Sequence, residues 1–137
     1  MKKTDLYKCN ICGNIIEVIF SGNGELYCCG QAMEKLVPKY NEDAITEKHV
    51  PVISKLENGN IEIRVGEILH PMINEHYIMF IEAIVGDNEL YRKYLYPNEE
   101  PKFEFHANIN DVSARELCNI HGLWEKNDDK WKGTRNS

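Results

Sequence analysis

Residues 77–85, YIMFIEAIV, are the stretch of this sequence that decides its fold. Every second residue from Tyr77 to Val85 is apolar, and this alternation predicts a β-strand with one face in a hydrophobic core. The stretch is nine residues long and contains Glu82, so it is too short and too polar to cross a lipid bilayer. We therefore interpret it as a long strand of a folded domain.

Further strands are predicted at short spacing on both sides of this one. Turn residues separate them, with Asn58-Gly59 and Pro97-Asn98 as the clearest breaks. Residues 113–117, SAREL, are also compatible with one helical turn. About six or seven short strands separated by turns are typical of an antiparallel β-sandwich, so we expect a mainly β protein. The clearest of the predicted strands cover residues 50–56, 61–65, 77–85, 89–96 and 103–109.

The composition is that of an acidic globular protein. The chain has 137 residues and a formal net charge of −6, with 42% hydrophobic and 28% charged residues. This length suits one domain or two very small ones. Because nucleic acids and anionic membranes bind basic proteins, the negative charge argues against both partners. No apolar run follows the N-terminal lysines, so no secretory signal is predicted and we expect a cytoplasmic protein with reduced thiols.

We expect the chain to contain two domains. Residues 1–37 carry too few apolar side chains for a core and need another source of stability. Residues 38–48 are polar and aperiodic and are interpreted as a linker, and residues 49–124 hold the predicted sandwich. Residues 125–137 form a polar tail, which is either a solvated extension or a segment that packs on a partner subunit through Trp131.

The first candidate site consists of four cysteines in residues 1–37. Two of them form a Cys-x-x-Cys-Gly knuckle, in which backbone N–H groups point at the sulfurs and the glycine permits the tight turn. The other two are adjacent, beyond a hairpin that Asn23-Gly24 predicts. Four thiolates at this spacing suit one zinc or iron ion, whose binding energy would fold this small unit. The predicted ligands are Cys9, Cys12, Cys28 and Cys29.

The second candidate site combines histidines with the fifth cysteine. Cys118 and His121 are three residues apart and can bind one ion, and three more histidines lie upstream. Four neutral imidazoles and one thiolate exceed the ligand number of zinc and suit a five-coordinate iron with a sixth position open. A thiolate ligand donates electron density towards whatever binds opposite it, which favours oxygen chemistry over hydrolysis. The predicted ligands are His49, His70, His76, Cys118 and His121.

Two charged residues beside His49 have a predicted role in this site. Glu47 and Lys48 precede it directly, and either they are ordinary linker charges or they serve the metal. In the second case Lys48 steers a small anion that a protein of net charge −6 repels, and Glu47 reaches the vacant position. His106 lies on the polar phase of an alternating strand, and we interpret it as a surface residue.

Five motifs of the sequence resemble the desulfoferrodoxin family, the two-iron class of superoxide reductase. The match extends over residues 6–124. YKCNICGNIIEV and LYCCGQAM resemble its desulforedoxin-like N-terminal domain, whereas EKHVPVI, HPMINEHYI and ARELCNIHGLW resemble its catalytic domain. The resemblance implies a small desulforedoxin-like or rubredoxin-like metal-knuckle domain followed by an immunoglobulin-like antiparallel β-sandwich, in a homodimer.

The same resemblance implies an activity and its residues. The activity is one-electron reduction of superoxide to hydrogen peroxide at a mononuclear non-haem iron, which a rubredoxin-like donor reduces again. Such an enzyme removes reactive oxygen species in anaerobes. The four N-terminal cysteines bind the first iron, and the four named histidines bind the second iron with Cys118 as its axial ligand. Glu47 corresponds to the carboxylate that binds the oxidised iron, and Lys48 to the lysine that attracts superoxide and aids protonation.

Two other classes of function stay open on the sequence. One is a non-enzymatic iron electron carrier, which predicts a second metal whose sixth position is closed to azide and cyanide. The other is a zinc-stabilised interaction module, which predicts a colourless protein with zinc and no iron.

Overall fold

The chain divides at Val37 into two units, Met1–Val37 and Pro38–Ser137. A computed structural model describes residues 1–40, 49–66, 69–107 and 111–126. The secondary structure of these described residues is made of short β-strands, without an α-helix. The predicted mainly β class is therefore confirmed.

The N-terminal unit contains five very short strands in two small sheets. Strands β2, β1 and β5 form one sheet in that order, and β3 and β4 form the other. The structure describes every residue of this unit, and the apolar side chains buried in it are those of Leu6, Cys9 and Val18. So small a buried set does not stabilise a domain by hydrophobic burial. The strands are β1 Leu6–Lys8, β2 Ile15–Glu17, β3 Tyr27–Cys28, β4 Gln31–Ala32 and β5 Glu34–Lys35.

The hairpin predicted at Asn23-Gly24 is wrong. Strand β2 pairs with β1 and not with β3, so the two strands that flank this turn belong to different sheets. The physical reason is that Ile19 and Phe20 are 85% and 91% exposed, so no apolar face holds a β2–β3 pair together. The tight turn of this unit lies instead at Cys29-Gly30, between β3 and β4.

The C-terminal unit is an antiparallel β-sandwich of seven described strands. A three-stranded sheet has the order β10-β7-β6, and a four-stranded sheet has the order β12-β11-β8-β9. This division into three and four strands is that of an immunoglobulin-like sandwich. The strands are β6 Pro51–Lys55, β7 Ile61–Val65, β8 Ile78–Val85, β9 Glu89–Tyr94, β10 Lys102–Phe105, β11 Val112–Cys118 and β12 Gly122–Lys126.

The hydrophobic core lies between the two sheets. Strand β7 contributes Ile61, Ile63 and Val65 to it, all with no exposed surface, because the alternation of its sequence points these side chains to one face. The four-stranded sheet contributes inner-face side chains from β8 and β11. These are Ile78, Ile81, Ala83, Val85, Val112, Ala114 and Cys118.

A β-bulge in β8 shifts the predicted apolar face next to the second site. Leu117 of β11 pairs with Phe80, whereas its neighbour Cys118 pairs with Ile78, so Met79 is the extra residue. Below the bulge Ile78, rather than the predicted Met79, therefore joins the core. Bulges of this kind often lie beside functional sites, where they re-aim a side chain.

The helical turn considered for residues 113–117 is absent, since these residues belong to β11. All seven residues of this strand are buried, and the adjacent charged residues Arg115 and Glu116 interrupt the apolar–polar alternation that begins at Val112, so the pattern alone does not identify a strand. Arg115 is buried because its Nη2 donates to Glu82 Oε1 at 2.8 Å. Arg92 Nε donates to Glu82 Oε2 at 3.0 Å, so one buried carboxylate connects β8, β9 and β11.

Candidate metal centres

The four predicted ligands of the first site come together in the N-terminal unit. Their sulfur atoms all lie within 4.8 Å of one another, with Cys9 buried and Cys12 and Cys29 exposed. The Sγ atoms of Cys12 and Cys28 are 3.6 Å apart. Four sulfurs at these separations can face one central ion.

The knuckle at Cys9 results from backbone hydrogen bonds. The Cys12 N–H donates to Cys9 Sγ at 3.5 Å, and the Gly13 N–H donates to the Cys9 carbonyl at 2.9 Å. Gly13 has a φ of 85°, which favours glycine. Hydrogen bonds from the N–H groups of Cys12 and Ile11 lower the pKa of Cys9 to about 6. The same hydrogen bonds therefore favour the thiolate form of Cys9, which is the form that binds a metal.

The adjacent cysteines share the site because of the backbone at Cys29. Successive side chains of a regular strand point to opposite faces, so two neighbours would not bind the same ion. Cys29 has a φ of 55° and Gly30 a φ of 78°, and two left-handed residues between paired strands form a tight hairpin turn. The turn brings the sulfurs of Cys28 and Cys29 to 3.9 Å.

The pKa values of these cysteines indicate that the site is completed by a cation. Hydrogen bonding to the sulfurs of Cys12 and Cys28 raises the pKa of Cys29 to about 12. The pKa of Cys28 is raised as well, chiefly by its hydrogen bond with Cys12. Thiolates this close repel one another, and a metal ion removes the conflict by neutralising them. The four sulfurs therefore fit a thiolate-bound metal.

The second site contains four imidazoles arranged as a square. Neighbouring ring centroids are 4.9 Å apart for His49 and His70, 4.5 Å for His70 and His76, 5.0 Å for His76 and His121, and 4.6 Å for His121 and His49. The diagonal from His49 to His76 is longer, 6.3 Å. Adjacent rings are nearly perpendicular, with interplanar angles between 67° and 82°. Such a square surrounds one central point.

Ligand atoms of all five predicted residues meet at this square. The ligand atoms of His49, His70, His76 and Cys118 lie within 4.8 Å of one another. His121 is outside this mutually close group, but its Nδ1 lies 3.0 Å from His49 Nε2 and 3.9 Å from Cys118 Sγ. Two imidazole nitrogens at 3.0 Å share either one proton or one metal ion.

The site lies where strand ends of both sheets meet. His49 precedes β6 by two residues, and His76 precedes β8 by two residues. Cys118 is the last residue of β11, beside the first residue of β8, because the two strands are antiparallel. A three-residue loop, residues 119–121, follows it, and Gly122 then begins β12 with a left-handed φ of 84°, as hairpins of this length often require. This loop carries His121 back towards Cys118.

His70 shows most clearly that the square is built for a metal. Its Nδ1 donates to the Pro71 carbonyl at 2.7 Å, which leaves Nε2 without a proton and able to coordinate. Nε2 is buried, and no described residue forms a hydrogen bond with it. Burial lowers the pKa of His70 to about 4, so the imidazole stays neutral at pH 7. A buried, neutral acceptor pointing at other imidazoles fits a metal ion.

Cys118 also needs a cation to become a thiolate. Burial raises its pKa, although the backbone N–H groups of His121 and Ile120 act in the opposite direction. The His121 N–H donates to Cys118 Sγ at 3.4 Å. A bound metal deprotonates a coordinating thiol, so this sulfur and the four imidazoles fit one ion together.

Four residues that the sequence analysis singled out lie outside this cluster of side chains or outside the described residues. Glu47 and Lys48 are among residues 41–48, which lie outside the described residues, as does Trp131. His106 is exposed, and its Nδ1 lies 3.3 Å from Asn60 Oδ1. It is thus on the surface and away from the four clustered imidazoles.

Sequence reasoning missed two residues that contact the second site. Trp124 Nε1 donates to the His121 carbonyl at 3.1 Å, and its ring stacks on His49 at 5.0 Å. Lys39 Nζ donates to the same carbonyl at 3.2 Å. Trp124 lies three residues after the predicted ligand His121, and this spacing was a signal that could have found it. No local sequence pattern pointed to Lys39.

Comparison with known proteins shows the family of this chain. The family model "Desulfoferrodoxin" matches residues 41–127, and "Desulfoferrodoxin, N-terminal domain" matches residues 1–36. The chain belongs to the desulfoferrodoxin family. A desulfoferrodoxin homolog of Archaeoglobus fulgidus is 49% identical over 120 residues, which cover 88% of this chain and 94% of that one. The resemblance seen in the sequence motifs is thereby confirmed.

Two further relatives carry the name superoxide reductase. The superoxide reductase of Pyrococcus horikoshii is 37% identical over 97 residues, covering 58% of this chain and 84% of that one. The crystal structure of the superoxide reductase from Treponema pallidum matches this desulfoferrodoxin with a TM-score of 0.72 and 20% identity, over 93% of this chain and all of that one. The structural match supports the shared fold. No helix of the described residues is long and apolar enough to span a membrane.

Proposed function

We propose that this chain is a superoxide reductase with two iron ions, one in each unit. The observation that carries the proposal is the square of four imidazoles joined by the Cys118 sulfur. Its family membership and the relative named superoxide reductase in Pyrococcus horikoshii support the same activity. When bound, the iron supplies the electron that, with two protons, turns superoxide into hydrogen peroxide.

We propose the sequence-predicted ligands for both ions. The first ion takes Cys9, Cys12, Cys28 and Cys29, which form a closed set without room for substrate. The second takes the four imidazoles and Cys118. Five donors are more than zinc takes in protein sites, and this number favours iron. The second set is His49, His70, His76, His121 and Cys118.

The burial of the histidines supports access for a small anion from one side. His49 and His70 are buried, His76 is half-buried and His121 is exposed. One edge of the square thus reaches the surface while the opposite edge is covered by protein. Imidazole ligands carry no negative charge. A ferrous ion with four of them and one thiolate would therefore have a net charge of +1, which attracts an anion.

Lys48 and Glu47 are proposed to serve the approach and protonation of the substrate. Their position directly before His49 in the sequence supports this role. Lys48→Ala should slow the bimolecular reaction with superoxide about tenfold and flatten its dependence on ionic strength. Lys55→Ala is the control, because it removes the same charge at the far end of β6. Equal rates and salt slopes for the two variants would mean that Lys48 is an ordinary surface charge.

A rubredoxin-like protein is proposed as the electron donor. Leu69, Ile73 and Ile120 are each more than half exposed and lie within three residues of His70, His76 or His121. Small electron-transfer partners use weak interfaces of limited area, and three exposed aliphatic side chains suit one. Ile73→Lys should slow reduction of the oxidised enzyme by rubredoxin, while Ile19→Lys in the other unit should not. Equal slowing by both would contradict this docking surface.

We also propose a homodimer in the cytoplasm of an anaerobe. The five cysteines form no disulfide with one another, and free cysteines are usual in a reducing compartment. Ile19 and Phe20 are 85% and 91% exposed in the N-terminal unit, and exposed adjacent apolar side chains favour burial against a second copy. Sedimentation equilibrium should give a dimer for the native chain and a weaker one for Phe20→Lys. A native monomer at micromolar concentration would contradict the assembly.

The activity itself is tested by the ratio of product to substrate. Under anaerobic conditions the reduced protein should form one molecule of hydrogen peroxide for each superoxide consumed. Dismutation would form one molecule for every two. A non-enzymatic electron carrier would give no fast superoxide reaction, and its absorption spectrum would not change on addition of azide. Either of these results would contradict the proposed function.

A further inference from the structure

Lys39 lies behind the loop that carries two of the proposed iron ligands. Its Nζ donates to the His121 carbonyl at 3.2 Å, and that carbonyl also accepts the Trp124 Nε1–H at 3.1 Å. The ammonium lies 5.2 Å from the centre of the Trp124 ring. These contacts hold one positive charge next to the His121 carbonyl and the Trp124 ring, outside the sandwich core.

The backbone of Lys39 is fixed as firmly as its side chain. Its N–H donates to the Leu123 carbonyl at 2.9 Å, and its own carbonyl accepts from the Glu125 N–H at 2.8 Å. Residue 39 thus pairs with β12 in parallel at Trp124. An exposed lysine is ordinarily free to move, whereas this one has its backbone and its ammonium both held beside the site.

Trp124 extends these contacts to His49, the neighbour of His121 in the imidazole square. Its ring is 4% exposed and stacks on His49 at a centroid distance of 5.0 Å and an angle of 20°. The order Lys39, Trp124, His49 therefore forms a continuous stack, which we call the lysine stack. The lysine stack involves two corners of the imidazole square. His49 is its last member, and the His121 carbonyl accepts hydrogen bonds from Lys39 and Trp124.

We propose that Lys39 is a positioning residue that raises the reduction potential of the second iron and holds the His121 loop. This inference rests on the proposed function, because it requires an iron with one thiolate ligand. The ferrous site then has a net charge of +1 and the ferric site +2. A fixed positive charge nearby disfavours the ferric form more, since its repulsion scales with the product of the charges. Lys39 thereby favours the ferrous form, which reacts with superoxide.

Lys39 and Lys48 should differ in what their charges do. Lys39 contacts the loop of Cys118 and His121, and its effect is on the iron and its ligands. A lysine that steers substrate changes the salt dependence of the bimolecular rate. A lysine that changes the potential shifts the redox equilibrium whether or not superoxide is present.

The test is a redox titration of the iron-loaded full chain, followed by its thiolate-to-iron absorption. Lys39→Met keeps the length of the side chain and removes its charge, Lys39→Arg keeps the charge, and Lys55→Met is the matched control at the exposed end of β6. Lys39→Met should lower the midpoint potential by at least about three times the shift of Lys55→Met, because screening weakens the distant charge. Lys39→Arg should restore most of the native value.

The outcomes separate this inference from the proposed function. If the native protein lacks the thiolate-to-iron absorption, the proposed function fails first. If that absorption is present and Lys39→Met and Lys55→Met shift the potential equally, Lys39 has no special role. A flattened salt dependence in Lys39→Met without a change in potential would also overturn the inference and make Lys39 a steering residue.

Discussion

The two metal sites differ in how the protein builds them. The first takes four sulfurs from within residues 9–29, in a unit with three buried apolar side chains. The second takes its side chains from residues 49–121, at the end of a sandwich with an extensive core. We therefore expect the first unit to depend on its ion for structure, whereas the core of the sandwich should form without one. On this view a small unit can obtain its stability from a metal site, whereas a larger domain can place a metal site at the edge of its own core.

The largest effect is expected from Cys118→Ser. Loss of the thiolate should lower the rate of superoxide reduction at least about 100-fold, more than the loss of an outer-shell partner of a metal ligand costs. The sandwich should keep its fold, because its core does not depend on the ion. Pulse radiolysis measures the rate, and circular dichroism checks the fold. A near-native rate would contradict the role of Cys118.

The next largest effect concerns the N-terminal unit alone. Cys12→Ser should reduce the iron content from two ions per chain to one, and amide hydrogen exchange in residues 1–37 should become fast. Exchange in β7, β8 and β11 should stay as slow as in the native protein. Protection of residues 1–37 in this variant, after loss of the ion from the four-cysteine site, would show that the unit folds without its ion, and the contrast between the sites would then fail.

Glu82→Gln tests the same comparison by destabilising the sandwich instead of the N-terminal unit. Glu82 has no exposed surface and accepts hydrogen bonds from half-buried Arg92 and buried Arg115, so the substitution removes the negative charge that both cations face. Breaking a buried pair costs about 3–5 kcal/mol, and urea unfolding of the sandwich should shift accordingly. The iron of the four-cysteine site should be retained. Glu62→Gln, in a more exposed 4.0 Å ion pair, is the control with a smaller shift.

The smallest effect is expected from His106→Ala. His106 is exposed and lies outside the imidazole square, so both iron ions should remain and the absorption spectrum should not change. Metal analysis of the purified variant measures this directly. Loss of one iron would show that a wrong histidine was assigned to the site.

Residue types and spacings predicted much of the fold and of both sites. Alternation in β7 gave its inner face correctly, and the Cys-x-x-Cys and Cys-x-x-His pairs brought their ligands together as expected. Local motifs succeed here because residues three apart remain close whatever the rest of the chain does.

The errors have one physical cause, which is that strand partners are chosen by distant parts of the chain. The bulge at Met79 depends on the pairing of β8 with Leu117 and Cys118, and the burial of β11 on both faces depends on side chains from other parts of the chain. Asn23-Gly24 is a good hairpin sequence, but the strands beside it pair elsewhere. Lys39 reaches His121 across the sheet edge, a contact between residues 82 apart in sequence.

The most direct measurement is a crystal structure of the iron-loaded, reduced protein with anomalous data at the iron edge. We expect two iron peaks for each chain, one among four sulfurs. The second should lie within the imidazole square, bound by four histidine nitrogens and Cys118 Sγ, with the position opposite the sulfur free of protein ligands. A second peak that His121 does not bind, or a permanent side-chain ligand opposite Cys118, would contradict the account.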